Sequence, residues 1–489
     1  MATFFNEYFA VSVDDLENYG AFNVSIINDL PLFIDPFLLF TSDKKEYQQL
    51  HNDILKYIIF LRDAVVAGRI NDDLAKAWFL FPEVKQNWLG FSLSGNGGSG
   101  LGANFSTALR ANLRGLFSNF GQETITRGSH IEKVCLVSSG IGRDMISDFT
   151  ANLVKGFLCK YTEEFAVNYI DKALLRKVWI NKARFNYETE VWERGQYVLP
   201  WLEDDFVLLT PKDMLTRDEN WINRTDMIRE FESIPVAIPN AELRGQVSNY
   251  FERVLAKHKD RMPTQKERDD AAVRTLLSFP QLVDYYIKLK EENGDEATDI
   301  SSEKVSQTKL IFETNVKLLQ DALATLTKFY GIRGDTYREA HERLAYLKDV
   351  IENKGGHRLF YHNGVAIQRE SDLQILYRFV WFGSPSDVGR ESNDGRGPVD
   401  FKISRGAKDK TLIEMKLAKN TALERNLKNQ LPIYQAASDA ENGIKAIIFF
   451  SEAEQERVEV ILESLGILGH KDIVLIDARD DNKPSGSKA

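Results

Sequence analysis

Cysteine is nearly absent from this 489-residue chain: only Cys135 and Cys159 occur, each among apolar neighbours. Two thiols cannot build a disulfide framework or a CxxC zinc site, so the fold must stand on its core. Histidine is scarce too. His51, His130, His258, His341, His357, His362 and His470 fall in no HExxH or comparable spacing, which excludes the common zinc-hydrolase motifs. His357 and His362 read as surface or loop residues. No apolar run reaches the roughly 18 residues of a membrane helix, and MATFFNEYFAVSVDDLENYG has neither the basic start nor the unbroken apolar stretch of a secretory signal. The expectation is a soluble, cytoplasmic protein with no membrane partner. Positive charge is in deficit, with a formal net charge of -10, which argues against indiscriminate nucleic-acid binding over the whole surface but leaves room for a local basic groove. No internal repeat is visible, which removes solenoids and propellers.

What is present is a large apolar fraction, 43% of a chain far longer than the ~250–300 residues at which a single core stops growing. A multidomain mixed α/β protein is expected. Residues 1–175, apolar and aromatic, read as an N-terminal mixed α+β regulatory or recognition domain. Residues 176–300 form an aromatic-rich middle region ending in EENGDEATDISSEK (291–304), whose acidic, polar composition reads as a linker or exposed loop. Residues 301–355 read as a helical connector, with YREAHERLAYLKDVIEN closed by Gly355 and Gly356. Residues 356–480 read as a further domain: a helix at 370–381, strands at 398–404 and 411–418, a helix at 421–440, a strand at 445–451, a helix at 453–466 and a strand at 472–477. Residues 481–489 have the composition of a disordered tail.

Within that last domain, VDFKIS and TLIEMKLA each alternate apolar with polar residues, and the polar, glycine-containing RGAKDK between them reads as the turn of an antiparallel hairpin. Each strand then has one apolar and one polar face, and Asp400 can lie across from Glu414 and Lys416. Two carboxylates and a backbone carbonyl, that of Met415, are what a hard divalent cation takes from a protein when phosphate and water complete its shell. Lys416 supplies positive charge to a reacting phosphate; a lysine near its usual pKa of about 10.4 is a poor base.

Asp400 followed by Ile413-Glu414-Met415-Lys416 resembles the PD-(D/E)xK nuclease superfamily, with Pro398-Val399-Asp400 in place of a literal Pro-Asp. Glu370, in the first turn of the preceding helix, resembles the extra metal-holding acid of that fold, with Asp372 as the alternative in the same turn. Gln430 and Tyr434 form a Gln-x-x-x-Tyr like that of the RecB-type branch, although Pro432 places the helix start near Leu431. The resemblance covers the last quarter of the chain. It implies a restriction-endonuclease-like α/β core with a central mixed sheet and a magnesium-dependent endonuclease, manganese being able to substitute. Asp400, Glu414, Lys416 and Glu370 would be catalytic, and Asp400, Glu414, Met415 and Glu370 would hold the metal. Gln430, Tyr434, Lys402 and Lys419 would contact substrate. Residues 396–428 carry nine Lys or Arg against four Asp or Glu, a local balance of +5 fitted to a phosphate backbone. DNA stands ahead of RNA as the polymer, and prokaryotic antiviral defence or restriction is the setting implied. The alternatives are a repair or recombination nuclease and a catalytically inactive nucleic-acid-binding or scaffold protein. A homo-oligomer or a partner subunit of a defence complex is the assembly implied.

Two further motifs read as structural. Gly95-x-Gly97-x-x-Gly100 follows no clear strand and lacks the Gly-Lys-Ser/Thr of a P-loop, so it reads as a loop that binds no nucleotide cofactor. In SGIGRDMISDF, Asp144 and Asp148 sit one helical turn apart and read as capping or solvated residues.

Overall fold

The computed structural model describes residues 2–90, 100–115, 117, 120–136, 143–217, 219–255, 261–331, 335–381, 387–389, 401–405, 409–428 and 442–483. It is a mixed α/β protein of two domains, mostly helical, with three parallel strands near its C-terminus. No helix among the described residues is long and apolar enough to cross a membrane.

In the N-terminal domain the helix Lys45–Val66 turns Ile54, Ile58, Leu61 and Val65 inward at helical spacing, and these join a core with Phe5, Phe79 and Phe149. A long antiparallel hairpin, Leu175–Asn186 with Val191–Leu202, packs one face on the helix Lys155–Tyr169. Gly156 permits that approach, since a Cβ there would lie 2.4 Å from the carbonyl oxygen of Ala183. The short strand Leu32–Ile34 pairs antiparallel with Leu215–Arg217.

The segment 291–304 departs from the expected linker. It enters the helix Gly294–Lys309, which buries Gly294, Ala297, Ser301, Val305 and Thr308. Small residues at three- and four-residue spacing make a narrow stripe that packs closely on the Leu215–Arg217 strand and on the helix Pro36–Thr41. Composition scores this stripe as polar because its contacts come from backbone proximity rather than large side chains.

The C-terminal domain is built on a five-stranded sheet in the order Ile473–Asp477, Asn442–Phe449, Asp409–Leu417, Phe401–Arg405, Asp387–Gly389. The first three strands are parallel and the last two are joined antiparallel. The expected hairpin is therefore present, paired from Asp409↔Arg405 to Ile413↔Phe401. The crossover between the two outer parallel strands is the helix Glu452–Ser464, capped by Ser451. Val458 and Leu462 of that helix, with Leu423 and Leu427, cover the face carrying Ala418, Ile447 and Phe449. The helix Thr336–Asn353, capped by Asp335, covers the other face, and its Thr336 hydroxyl lies 2.8 Å from that of Thr411. Gly355, with φ of 78°, ends the chain's run beyond this helix in the left-handed turn expected of it.

The strand Asp409–Leu417 corrects the expectation of one polar, open face. From Thr411 to Leu417 every residue is buried, because helices cover both sides of a central strand. His357 is likewise buried rather than superficial: it lies in the turn Gly356–Phe360, 3.2 Å from Asp480, and burial holds its pKa below the usual value.

Candidate metal and phosphate site

Alternation along a strand puts Glu414 and Lys416 on one face, and the C-terminal end of that strand meets the first turn of the helix Glu370–Trp381. Leu373, Leu376, Tyr377 and Val380 anchor this helix in the core, so its first turn is held at a fixed place against the sheet. There Lys416 Nζ donates to Glu370 Oε1 at 2.9 Å, Asn420 Nδ2 donates to Glu370 Oε2 at 2.8 Å, and the Leu417 amide reaches Oε2 at 3.4 Å. Arg457 donates to the carbonyls of Ala418 and Asn420 and fixes the turn that presents Asn420.

Glu414 is 2% exposed, and its Oε2 has no hydrogen-bond partner among the described residues. Burial pushes its pKa up, the cations of Lys416 and Lys445 pull it down, and the Glu370 carboxylate raises it again; the net shift is upward. Lys445 sits opposite Glu414 in the parallel ladder, is itself buried, and donates to the Leu427 carbonyl. Its pKa is lowered, first by burial, with Glu414 opposing and Lys416 adding to the shift. The result is an inward-facing cluster of two carboxylates and two ammonium groups, with Glu414 and Lys416 in the C-terminal half of Asp409–Leu417 and Lys445 opposite Glu414 on Asn442–Phe449.

Of the residues singled out from sequence, Glu370, Glu414 and Lys416 converge here across a separation of more than forty positions. Met415 has a buried side chain in the core, which leaves only its backbone carbonyl for a ligand. It lies two residues beyond the last described pair of the hairpin ladder, Ile413↔Phe401. Lys419 does not join the cluster: its Nζ donates to the Ile367 carbonyl at 3.2 Å and to Gln368 Oε1 at 2.5 Å, and burial lowers its pKa. Lys402 belongs to the strand Phe401–Arg405, paired with Leu412. Asp400, Gln430 and Tyr434 lie outside the described residues, as do 91–99 of the glycine-rich segment. Among the described residues no group of three or more His, Cys, Asp or Glu side chains is arranged to hold a metal ion.

Asp372, the alternative acid, is committed elsewhere. It forms a buried ion pair with Arg217 of the N-terminal domain. Further along the same helix Arg378 donates to Asn28 Oδ1 at 2.9 Å, while Gln320 and Tyr330 donate to the carbonyls of Phe379 and Val380, each at 2.8 Å. The helix that presents Glu370 is thus held by Arg217 near one end and by Asn28, Gln320 and Tyr330 near the other. A cavity of about 230 Å³ adjoins its first turn, lined by Arg217, His362, Gln368, Arg369 and Asp372 among others.

Lys445 and Asn420 belong to the candidate cluster and Arg217 to its bracing, and none of the three is marked as such by a motif in the sequence. The one signal is Lys445 itself, a lone cation in the apolar strand sequence KAIIFFS, which pairs with the strand that carries Glu414 and Lys416. Arg217 carries no local signal, since its partner is 155 positions away.

No curated protein and no solved structure matches the chain. Two family models do, and each is described as a domain of unknown function: DUF8370 over residues 10–223 and DUF8371 over residues 336–452, the second spanning the strand and helix that bring Glu370, Glu414 and Lys416 together.

Proposed function

We propose that this chain is a metal-dependent nuclease that hydrolyses phosphodiester bonds of DNA, with a restriction-endonuclease-like core in its C-terminal domain. The observation that carries the reading is the meeting of Glu370 with Lys416 beside a buried Glu414 oxygen that lacks a partner. A buried carboxylate without a donor is costly unless function requires it. Here the vacant acceptor faces the same cluster as a second carboxylate, which fits a hard cation's preference for oxygen.

Glu414, Glu370 and the carbonyl of Met415 are the groups that would hold magnesium, with Asp400 as the fourth ligand that the superfamily resemblance implies. The ion supplies Lewis acidity and neutralises charge at the phosphate. Lys416, whose ammonium lies beside Glu370, would set its positive charge against the negative charge that builds on the phosphate oxygens. Asn420 and the Leu417 amide hold the second oxygen of Glu370 and so keep the carboxylate oriented. In the reaction a water oxygen would form the new bond to phosphorus and give up a proton, while the ester P–O bond breaks and the leaving alkoxide takes up a proton. An antiviral-defence setting follows from the superfamily resemblance alone.

The test is cleavage of supercoiled plasmid, single-stranded DNA and RNA by the full chain in magnesium, manganese or EDTA. Metal-dependent scission of DNA is expected, with Lys416→Ala slower by about 10²–10³-fold. An inert wild type, or Lys416→Ala cutting at the wild-type rate, overturns the proposal.

A further inference from the structure

The hairpin of the N-terminal domain has one face packed on a helix and the other open, and the open face is unusual. Trp179 is 57% exposed on it, with the Arg194 guanidinium 5.4 Å from its ring centroid. Its cross-strand neighbour is Gln196, and Lys177, two residues back on the same face, is exposed. A solvated indole on a regular strand gains nothing from burial, and cation–π contact with one arginine accounts for only part of its surface.

Charge sharpens the picture. The strand Leu175–Asn186 carries Arg176, Lys177, Lys182 and Arg184 and no acidic residue, within a chain of net charge -10. Two of these cations are occupied: Lys182 donates to the carbonyls of Ala77 and Leu80, and Arg184 pairs with Glu193 at 2.7 Å. Glu190, at the hairpin turn, pairs with Arg69. Lys177 and Arg194, on the face of Trp179, are exposed and have no carboxylate partner among the described residues, whereas Arg176 pairs with the buried Leu199 and so belongs to the opposite face. An exposed aromatic face flanked by unneutralised cations on a sheet is the arrangement that binds unpaired nucleobases, each base stacking on a ring while the cations take the phosphates.

We infer that the open face of the Leu175–Leu202 hairpin is a docking platform for single-stranded DNA, with a base stacked on Trp179 and the adjoining phosphates held by Lys177 and Arg194. This deepens the nuclease reading and rests on it for the choice of DNA, by assigning the N-terminal domain the capture of an unpaired strand. A duplex is disfavoured because its bases already stack on one another and leave no face for the indole.

Fluorescence anisotropy with a labelled oligothymidylate in EDTA tests it, using the full chain as wild type, Trp179→Ala, Trp179→Phe and Lys177→Glu/Arg194→Glu. Trp179 is exposed, so its replacement leaves the fold intact. Wild type should bind the single strand more tightly than a duplex of equal length. Trp179→Ala should weaken it about tenfold or more, Trp179→Phe should restore most of the loss, and the charge-reversed variant should lower both affinity and salt dependence. Undiminished binding by Trp179→Ala, a preference for duplex, no binding by wild type, or conversion of a dimer to a monomer by Trp179→Ala would each overturn it. Cleavage scored in parallel separates the two claims: a wild type that binds through Trp179 but cuts nothing refutes the nuclease reading alone, while one that cuts and binds independently of Trp179 refutes this inference alone.

Discussion

Two strands in this protein are written in nearly the same way and solve the same problem oppositely. LRKVWINKARFN in the N-terminal hairpin and DKTLIEMKL in the C-terminal sheet both interleave apolar residues with charge. In the first, Ile180, Ala183 and Phe185 go inward and Arg176, Lys177 and Arg184 go to water. In the second, Ile413, Met415 and Leu417 are buried on one side, and Glu414 and Lys416 are buried on the other. A charge turned outward costs almost nothing. A charge turned inward must be matched, and Glu414 is matched incompletely. Selection tolerates such a group where chemistry uses it, so the inward strand is the better place to look for a reaction and the outward strand for a surface.

The largest effect expected from breaking this contrast lies where the inward region is braced. Arg217 and Asp372 form an ion pair with side chains 5% and 6% exposed, joining the N-terminal domain to the helix that presents Glu370. Removing one partner of such a pair takes the counterion from a buried charge. Arg217→Ala should therefore destabilise the protein by about 3–5 kcal/mol in denaturant unfolding. A loss no larger than that of an exposed arginine would show that the bridge does not brace the site.

A smaller effect of opposite sign should come from Glu414→Gln. The folded-state pKa of Glu414 is raised, so its neutral form is favoured by folding; that stability is fully present below the ordinary carboxylate pKa and is lost as pH rises through the folded value. Around neutral pH the ionised carboxylate is a burden in the metal-free protein. Glu414→Gln should therefore raise Tm at neutral and alkaline pH, with the gain shrinking as pH falls toward the ordinary glutamate range. A variant less stable than wild type at every pH would mean that Glu414 is held by attractions stronger than its burial.

The C-terminal domain is the more legible half because its elements announce themselves locally. Apolar periodicity in ESDLQILYRFVW marks the helix Glu370–Trp381, and strict alternation either side of a glycine-containing turn marks the antiparallel hairpin. The convergence of Glu370 with Lys416 is legible only through the superfamily resemblance, since nothing in either segment specifies the other. Burial of both faces of Asp409–Leu417 is not legible, because alternation records the chemistry of a face and not what later packs on it. The helix Gly294–Lys309 escapes for a related reason: Gly294, Ala297 and Ser301 bury through smallness, which composition counts as polarity. The Arg217–Asp372 bridge escapes because it is wholly nonlocal.

The central claim is that the inward carboxylates exist to hold a cation. Isothermal titration of manganese into metal-free wild type and Glu414→Gln at neutral pH tests it most directly. Wild type should bind manganese saturably and the variant should not, whereas equal heats from the two proteins would show that Glu414 holds no cation.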